Sequence, residues 1–414
     1  MTRAARIAVV GGSIAGCAGA LAAAEAAPQA SVVVFERSAG ALRDRGAGIA
    51  IHRDRFAELA AAGFLDASLP GFHAESRRWY TREGAAEVPA MGKPLAAHPF
   101  PFTSHNWGQL YRYLRERLPE RVEYRPDTRI VEVKPTPSGA ELTLADGGSE
   151  SFDLVLGADG YRSVVREAMF PGITPEYAGY LCWRGLGDMN RIKGLPEEAF
   201  FTVGIATGHL IAYPIPADED GGTRLNWALF STVPPELTPD FTTATSLPPG
   251  AVSESLLDHL ETLISTQLPP FWADAVRTTA REDVFIQPMY DLQAPAFAQG
   301  RLLLIGDSGA VSRPHAAAGA LKALQDAAAL ADLWRQTPDA TDVAGLDGLD
   351  GLARRYDAVR RPAGHAVVAL SRRIGQAQVR QVPDWAAFGE AELSAWQAAL
   401  TQAPDGTIMG GRPL

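Results

Sequence analysis

Apolar residues in this chain cluster in short unbroken runs, and glycine follows most of them. Arg6–Val10, Ala30–Phe35, Phe152–Gly157 and Leu302–Ile305 read as strands buried on both faces, the pattern of a parallel sheet. Between the first two lies Ser13–Ala26, a helix of small residues able to pack close to a sheet, so the chain opens as a βαβ unit. Arg53–Ala62, Leu110–Leu118 and Arg162–Met169 read as helices. Thr128–Lys134 and Ala140–Leu144 alternate like a hairpin turning at Pro137-Ser138-Gly139.

The pattern changes between about Tyr177 and Glu282. Alternating stretches rich in aromatics and proline take over, among them Leu181-Cys182-Trp183-Arg184, His209–Pro216 and Arg224–Phe230. This predicts a mostly antiparallel sheet inserted into the α/β part, with Arg77–Val88 as a further strand. After Asp326 the chain reads as helices at Ala327–Trp334, Gly351–Arg360 and Pro362–Val379, with Thr337–Leu349 as a loop. The fold class is α/β. A Rossmann-like βαβ domain with a three-layer sheet is expected over residues 1–75, 104–170 and 283–335. The inserted sheet domain takes 76–103 with 171–282, and a helical region takes 336–414.

Composition narrows the partners. Against 38 Lys and Arg stand 48 Asp and Glu, a net charge of −10 that disfavours nucleic acid and anionic membrane. Two distant cysteines, Cys17 and Cys182, supply neither a disulfide framework nor a zinc site and suit a reducing compartment. No His, Asp and Glu spacing suggests a metal. The apolar stretch near the N-terminus is broken at once by glycines, and no run of about eighteen apolar residues occurs. Neither a signal peptide nor a transmembrane helix is expected, and the expected location is the cytoplasm.

The first strand runs into Gly11-Gly12-Ser13-Ile14-Ala15-Gly16. Gly11 permits the tight turn, Gly16 permits close helix–strand contact, and Ser13 stands where backbone must approach a pyrophosphate at a helix N-terminus. Glu36, twenty residues past Gly16 and followed by Arg37, has the spacing of a carboxylate on the adenosine ribose. In Arg43-Asp44-Arg45-Gly46-Ala47-Gly48, arginines neutralise a pyrophosphate beside glycines that let backbone pass the ligand; a solvated basic turn accounts for the residues equally well. Asp159, in Gly157-Ala158-Asp159-Gly160, touches a ligand or caps the following helix.

The far end of the domain carries Gly306-Asp307 at the carboxyl edge of a strand, where ligands bind in such sheets. Asp307 can accept a ribityl hydroxyl. The loop through Pro314 to Ala318-Gly319 then opens a helix whose dipole favours negative charge. One site built from both ends of a large domain calls for a long, two-part ligand such as FAD.

Together these motifs resemble the single-component (group A) flavoprotein aromatic hydroxylases, which share the para-hydroxybenzoate hydroxylase fold. The likeness spans residues 3 to about 380 and includes Tyr356-Asp357-Ala358-Val359-Arg360-Arg361-Pro362. Tyr177-Ala178-Gly179-Tyr180, Trp183-Arg184-Gly185, Gly208–Pro216 and Arg313–Gly319 are similar to members that act on hydroxypyridines. The resemblance implies FAD as cofactor, NADH or NADPH as transient reductant, O₂, a small aromatic substrate and no separate nicotinamide domain; family likeness alone suggests a homodimer. It implies that O₂ adds to the reduced flavin at C4a and that the hydroperoxide passes its distal OH to the ring. Leu110 falls in a helix that contacts the cofactor in the family, with Trp107 where many relatives carry arginine. Ala317, Ala318 and Leu321 depart from the family loop Pro-x-x-Gly-Gln-Gly-x-Asn.

Candidates to face the substrate are His52, Trp183, Arg184, His209, Tyr213, Trp227 and His315, with His315, Tyr213 and His209 as the catalytic set. Each has a plainer reading. His315 caps the next helix, His209 and Tyr213 are packed sheet residues, and the tryptophans are core. Other functional readings are a reductase or halogenase of the same fold, or a flavin-binding redox sensor or scaffold without turnover. A halogenase is expected to carry Trp-x-Trp-x-Ile-Pro, which Tyr213-Pro214-Ile215-Pro216 does not supply.

Overall fold

The apolar run Arg6–Val10 forms strand β1, and later runs of the chain return to lie beside it. In the computed structural model, residues 4–40, 47–82, 90–196, 198–217, 221–238, 246–337, 346–401 and 407–413 are described. Helix α1 (Ile14–Ala26) leads to β2 (Ser31–Phe35), parallel to β1. The chain then crosses to a second sheet through β3 (Gly48–His52), helix α2 (Arg53–Ala61), β4 (Phe72–Thr81) and β5 (Lys93–Asn106). Helix α3 (Trp107–Glu116) brings it back to β6 (Val122–Arg125) beside β2. A small antiparallel sheet follows, β7 (Ile130–Thr136), β8 (Gly139–Leu144) and β9 (Ser149–Phe152). Next come β10 (Leu154–Gly157) next to β1, and helix α4 (Val164–Met169).

The second sheet then gains β11 (Glu176–Asp188), β12 (Ala199–Ile205), β13 (Gly208–Pro216) and β14 (Thr223–Ser231). Helices α5 (Glu254–Gln267) and α6 (Pro270–Arg277) cover its back, and β15 (Phe285–Gln293) joins it. The short β16 (Ala298–Gln299) and β17 (Leu302–Leu304) complete the first sheet, and β18 (Ala310–Val311) pairs with β15. Helices α7 (Gly319–Arg335), α8 (Leu346–Gly375) and α9 (Glu390–Thr401) follow. The six-stranded sheet is ordered β16-β17-β10-β1-β2-β6 and the nine-stranded sheet β18-β15-β11-β14-β13-β12-β4-β5-β3.

Strand alternation makes the layers. Ile7, Val9, Val32, Val34, Leu154, Leu156 and Leu303 point to the helices, whereas Ala8, Val10, Val33, Phe35, Val155, Leu302 and Leu304 point to the small sheet and α4. Small side chains let α1 lie close: a Cβ at Gly19 would stand 3.0 Å from Ile305 Cδ1. Buried Asp326 of α7 accepts from the Gly306 amide at 2.9 Å and from Arg360 Nε at 2.8 Å, which ties the end of β17 to α7 and α8. No described helix is long and apolar enough to cross a membrane.

Several elements differ from expectation. Strands β3 and β5 are additional, and β3, the end of β5 and β15 pair in the nine-stranded sheet although they lie outside 76–103 and 171–282. Pro94, Pro99 and Pro101 hide β5, because proline usually breaks a strand; Pro94 and Pro99 sit here beside irregularities in the pairing with β4. Helices α5 and α6 lie within a region read as sheet, although Leu256, Leu260, Leu263 and Ile264 recur at helical spacing. The helix expected to break at Pro362 is continuous as α8 and ends in a π-turn at Gln376–Arg380. Of the Thr337–Leu349 loop, residues 338–345 lie outside the described residues and α8 already begins at Leu346; of Arg77–Val88, residues 83–88 lie outside them.

Candidate active site

A cavity of about 670 Å³ lies between the carboxyl ends of β1 and β17 and the front face of the nine-stranded sheet. Its first end is built by the glycine turn. Gly11 has φ +97°, and a Cβ there would overlap the Ala158 carbonyl; a Cβ at Gly16 would overlap the Gly11 carbonyl. Ser13 precedes α1 without a side-chain cap, so the first amides of that helix keep no side-chain acceptor beside the cavity wall that Gly11, Ser13 and Ile14 form. Buried Glu36 receives the amides of Gly12 and Ser38, each at 2.8 Å. An ionised carboxylate has about four acceptor positions, so it retains capacity for a ribose hydroxyl. Arg37 lines the same end. This cradle fits the adenosine and pyrophosphate of FAD.

The middle of the cavity is walled by Asp307, Pro314, Ala318 and Gly319. The Asp307 side chain is open to the cavity, and the surrounding protein raises its pKa, with Lys322 opposing. Gly306, at φ +68°, is the turn that presents it. Ala317 takes the left-handed conformation, φ +50° and ψ +37°, and α7 starts two residues later without a side-chain cap. Asp159 lines the cavity and also accepts from the amides of Val164 at 2.7 Å and Val165 at 3.3 Å, so its capping role is realised.

The far end is aromatic. Phe200 stacks on Tyr213 at 4.2 Å and lies 5.0 Å from Phe100, and all three line the cavity with Ile211, Phe230 and Met289. Arg184 donates to the Gly48 carbonyl at 3.3 Å and to Gln287 Oε1 at 3.0 Å. Gly48 lies so near Tyr213 that a Cβ there would stand 2.7 Å from its ring. Burial pushes the Tyr213 hydroxyl up to about 12. His315 lines the cavity; its Nε2 lies 2.7 Å from the Tyr180 hydroxyl, and its Nδ1 has no hydrogen-bond partner among the described residues. Burial holds its pKa well below 6.5, with His209, Arg313 and Arg77 adding to the effect. The ring is therefore neutral at physiological pH.

Other expected residues stand elsewhere. Trp183 and Trp227 point to the back of the sheet, because their strands alternate: Cys182, Arg184 and Ala228 take the cavity face. Their Nε1 atoms donate to Ser231 Oγ at 3.1 Å and to Thr279 Oγ1 at 2.8 Å. His209 shares a face with Tyr213 but lies behind His315, stacked on Phe230 at 5.0 Å; burial, with Arg77 adding, pulls its pKa down to about 3. His52 accepts from the Asp54 amide at 3.2 Å, capping α2, and faces a separate cavity. Leu110 packs behind α1 with Leu21 and Leu324, while Trp107 lines the cavity. Gly12 and Gly16 shape the turn from behind the wall. Arg45 and the Arg43–Gly46 turn lie outside the described residues.

Residues that sequence reasoning passed over are Arg77, Phe100, Phe200 and Tyr180. Alternation along 72–81 signals the strand that holds Arg77, but nothing local says which face meets a ligand.

No family model matches the chain. It is 33% identical over 378 residues to 2,6-dihydroxypyridine 3-monooxygenase of Paenarthrobacter nicotinovorans, covering 87% of this chain and 88% of that one. It is 31% identical over 378 residues to a 3-amino-4-hydroxybenzoate 2-monooxygenase of Streptomyces platensis, covering 89% and 87%. Among solved structures, 2,6-dihydroxypyridine-3-hydroxylase from Arthrobacter nicotinovorans superposes with a TM-score of 0.77 at 27% identity, covering 94% of this chain and 98% of the other.

Proposed function

Since the chain belongs to the FAD-dependent aromatic hydroxylases, we propose that it oxygenates a hydroxypyridine or phenol held between the Phe100–Phe200–Tyr213 wall and His315. The carrying observation is the neutral His315, fixed at Nε2 by Tyr180 and lacking a partner at Nδ1, in the wall of an aromatic chamber. FAD, reduced by NADH or NADPH, supplies the activation of O₂ when bound.

The protein's own groups do the rest. Gly11, Ser13, Ile14, Glu36 and Arg37 take the adenosine and pyrophosphate end, with Asp159 at the wall. Asp307 accepts a ribityl hydroxyl, and Pro314, Ala318 and Gly319 present the start of α7 to the pyrimidine edge, where its dipole favours negative charge. Arg184 and Asn226 hold Gly48, which fixes the strand edge beside Tyr213. His315 is the polar side chain of this wall, and its buried, unpartnered Nδ1 meets the ring hydroxyl and holds its proton once the bound ring displaces what covers it, with Tyr180 fixing the imidazole. Phe100, Phe200, Tyr213 and Phe230 keep water from the reacting ring. Family likeness extends the proposal to a cytoplasmic homodimer.

The test is NADH and NADPH oxidation by the FAD-loaded protein across hydroxypyridines and phenols, with mass analysis of the ring. One ring that accelerates oxidation and gains an oxygen atom supports the reading. Oxidation indifferent to every ring, with no oxygenated product, moves the protein to the sensor or reductase class.

A further inference from the structure

We propose that the substrate carries a carboxylate and that Arg77 binds it; this rests on the hydroxylase reading and names its substrate class. Arg77 is on β4 and is 7% exposed. Its Nε donates to Thr202 Oγ1 at 2.8 Å, and among the described residues Nη1 reaches only the Met409 sulfur, at 3.9 Å. The guanidinium lies over the rings of Trp79 at 4.5 Å and Phe100 at 5.7 Å. No carboxylate among the described residues pairs with it.

That arrangement is unlike the other buried arginines described. Arg55 pairs with Glu58, Arg301 with Asp350 and Arg360 with Asp326, while Arg166 donates to the backbone carbonyls of Ser308, Tyr161 and Gly160. Among the described residues, Arg55 and Arg166 keep enclosed nitrogens without a partner, whereas no nitrogen of Arg77 is enclosed in that way, so its free donors open onto the cavities it lines. At Arg77 most of the donor fork has no anionic or carbonyl acceptor from the described protein.

Position supplies the second argument. Arg77 stands in the wall shared by the main cavity and a second one of about 460 Å³, together with Phe100 and Met409. The acidic residues that line the main cavity, Glu36, Asp159 and Asp307, belong to its cofactor end, and none lines the second. Arg77 also depresses the protonation of both His209 and His315, so its charge is felt at the ring-binding end. A ring lying along Phe100 and Phe200 with its hydroxyl toward His315 would place an acidic substituent on the Arg77 fork, where two parallel N–H···O bonds suit a carboxylate.

The experiment uses FAD-loaded protein and matched pairs: 6-hydroxynicotinate against 6-hydroxynicotinamide, and 4-hydroxybenzoate against 4-hydroxybenzamide. Affinity is read from the change in flavin absorbance on titration, without turnover. Wild type is expected to favour the acid of at least one pair by about 100-fold. In Arg77→Met that ratio should collapse to about 1, and in Arg77→Lys, which keeps the charge but loses the fork, to about 10. Equal affinities for acid and amide in wild type overturn the assignment, as does a preference undiminished in either variant. Oxygen incorporation is scored separately: an acid preference that depends on Arg77, with no ring oxygenated, sinks the hydroxylase reading and leaves the anion site standing.

Discussion

The Tyr180 hydroxyl lies 2.7 Å from Nε2 of His315, so a strand of the large sheet holds a side chain of the loop that opens α7. Both residues are buried, and Gly375 near the end of α8 leaves the space they occupy, since a Cβ there would overlap the Tyr180 oxygen. Three elements thus meet at one imidazole. An unpartnered Nε2 in that setting would carry a penalty of about 1–3 kcal/mol.

His315→Ala should slow ring oxygenation roughly 100-fold and raise the share of NADH oxidation that ends as hydrogen peroxide. Tyr180→Phe should raise that share less, because the imidazole stays but turns. Peroxide yield against product yield separates the two variants; unchanged coupling in both would make the pair purely structural.

Asp307→Ala should weaken FAD retention by about 10- to 100-fold, the worth of a charge-assisted hydrogen bond. The ratio of flavin to protein absorbance after gel filtration reports it. Full yellow protein from the variant would remove Asp307 from the ribityl role.

Acid should destabilise the fold from about pH 6.5 downward. His105 and His209 are pulled down to about 4 and about 3 by burial, and His315 is shifted in the same direction. Below pH 6.5 the unfolded chain takes up these protons and the folded chain does not, so stability is full above pH 6.5 and falls as the pH drops. At pH 5 the loss is on the order of 2 kcal/mol for each such imidazole. Urea midpoints at pH 7.5 and pH 5 measure it; equal midpoints would mean that the rings are hydrated.

Ala317→Gly should stabilise the protein by about 0.5–1 kcal/mol, because alanine holds a left-handed conformation there at φ +50°. A thermal melt should rise by about 1–2 °C. A lower melting temperature would show that the Ala317 methyl, which packs against the aromatic cluster that includes Phe100 and Phe200, contributes more than the strain costs.

Sequence reading went furthest where one residue type has one physical job. The glycines of the first turn, the apolar runs of the parallel sheet and the strand leading to Asp307 could be placed because only glycine tolerates the Gly11 backbone and because short β-branched and aliphatic runs bounded by glycine read as buried strands. The ring-binding end was poorly legible. Trp183 and Trp227 carry aromatic mass in alternating strands, yet which of the two faces is the cavity depends on α5 and α6 covering the other. Arg77 was missed for a related reason: its lack of a carboxylate partner is a property of β12, β5 and residues 407–413 around it, none adjacent in sequence.

The route of the chain between the sheets has a consequence for biosynthesis. A ribosome delivers the glycine turn early and Asp307 only after two excursions through the large sheet. If the two ends grip the flavin as proposed, a truncated product or a folding intermediate lacking the late strands would hold one half of it at most, and by mass action the cofactor would stabilise only the finished chain. Yellow colour in a preparation therefore reports arrival at the native topology, and apo-protein accumulated under riboflavin starvation should be the form that proteases reach first.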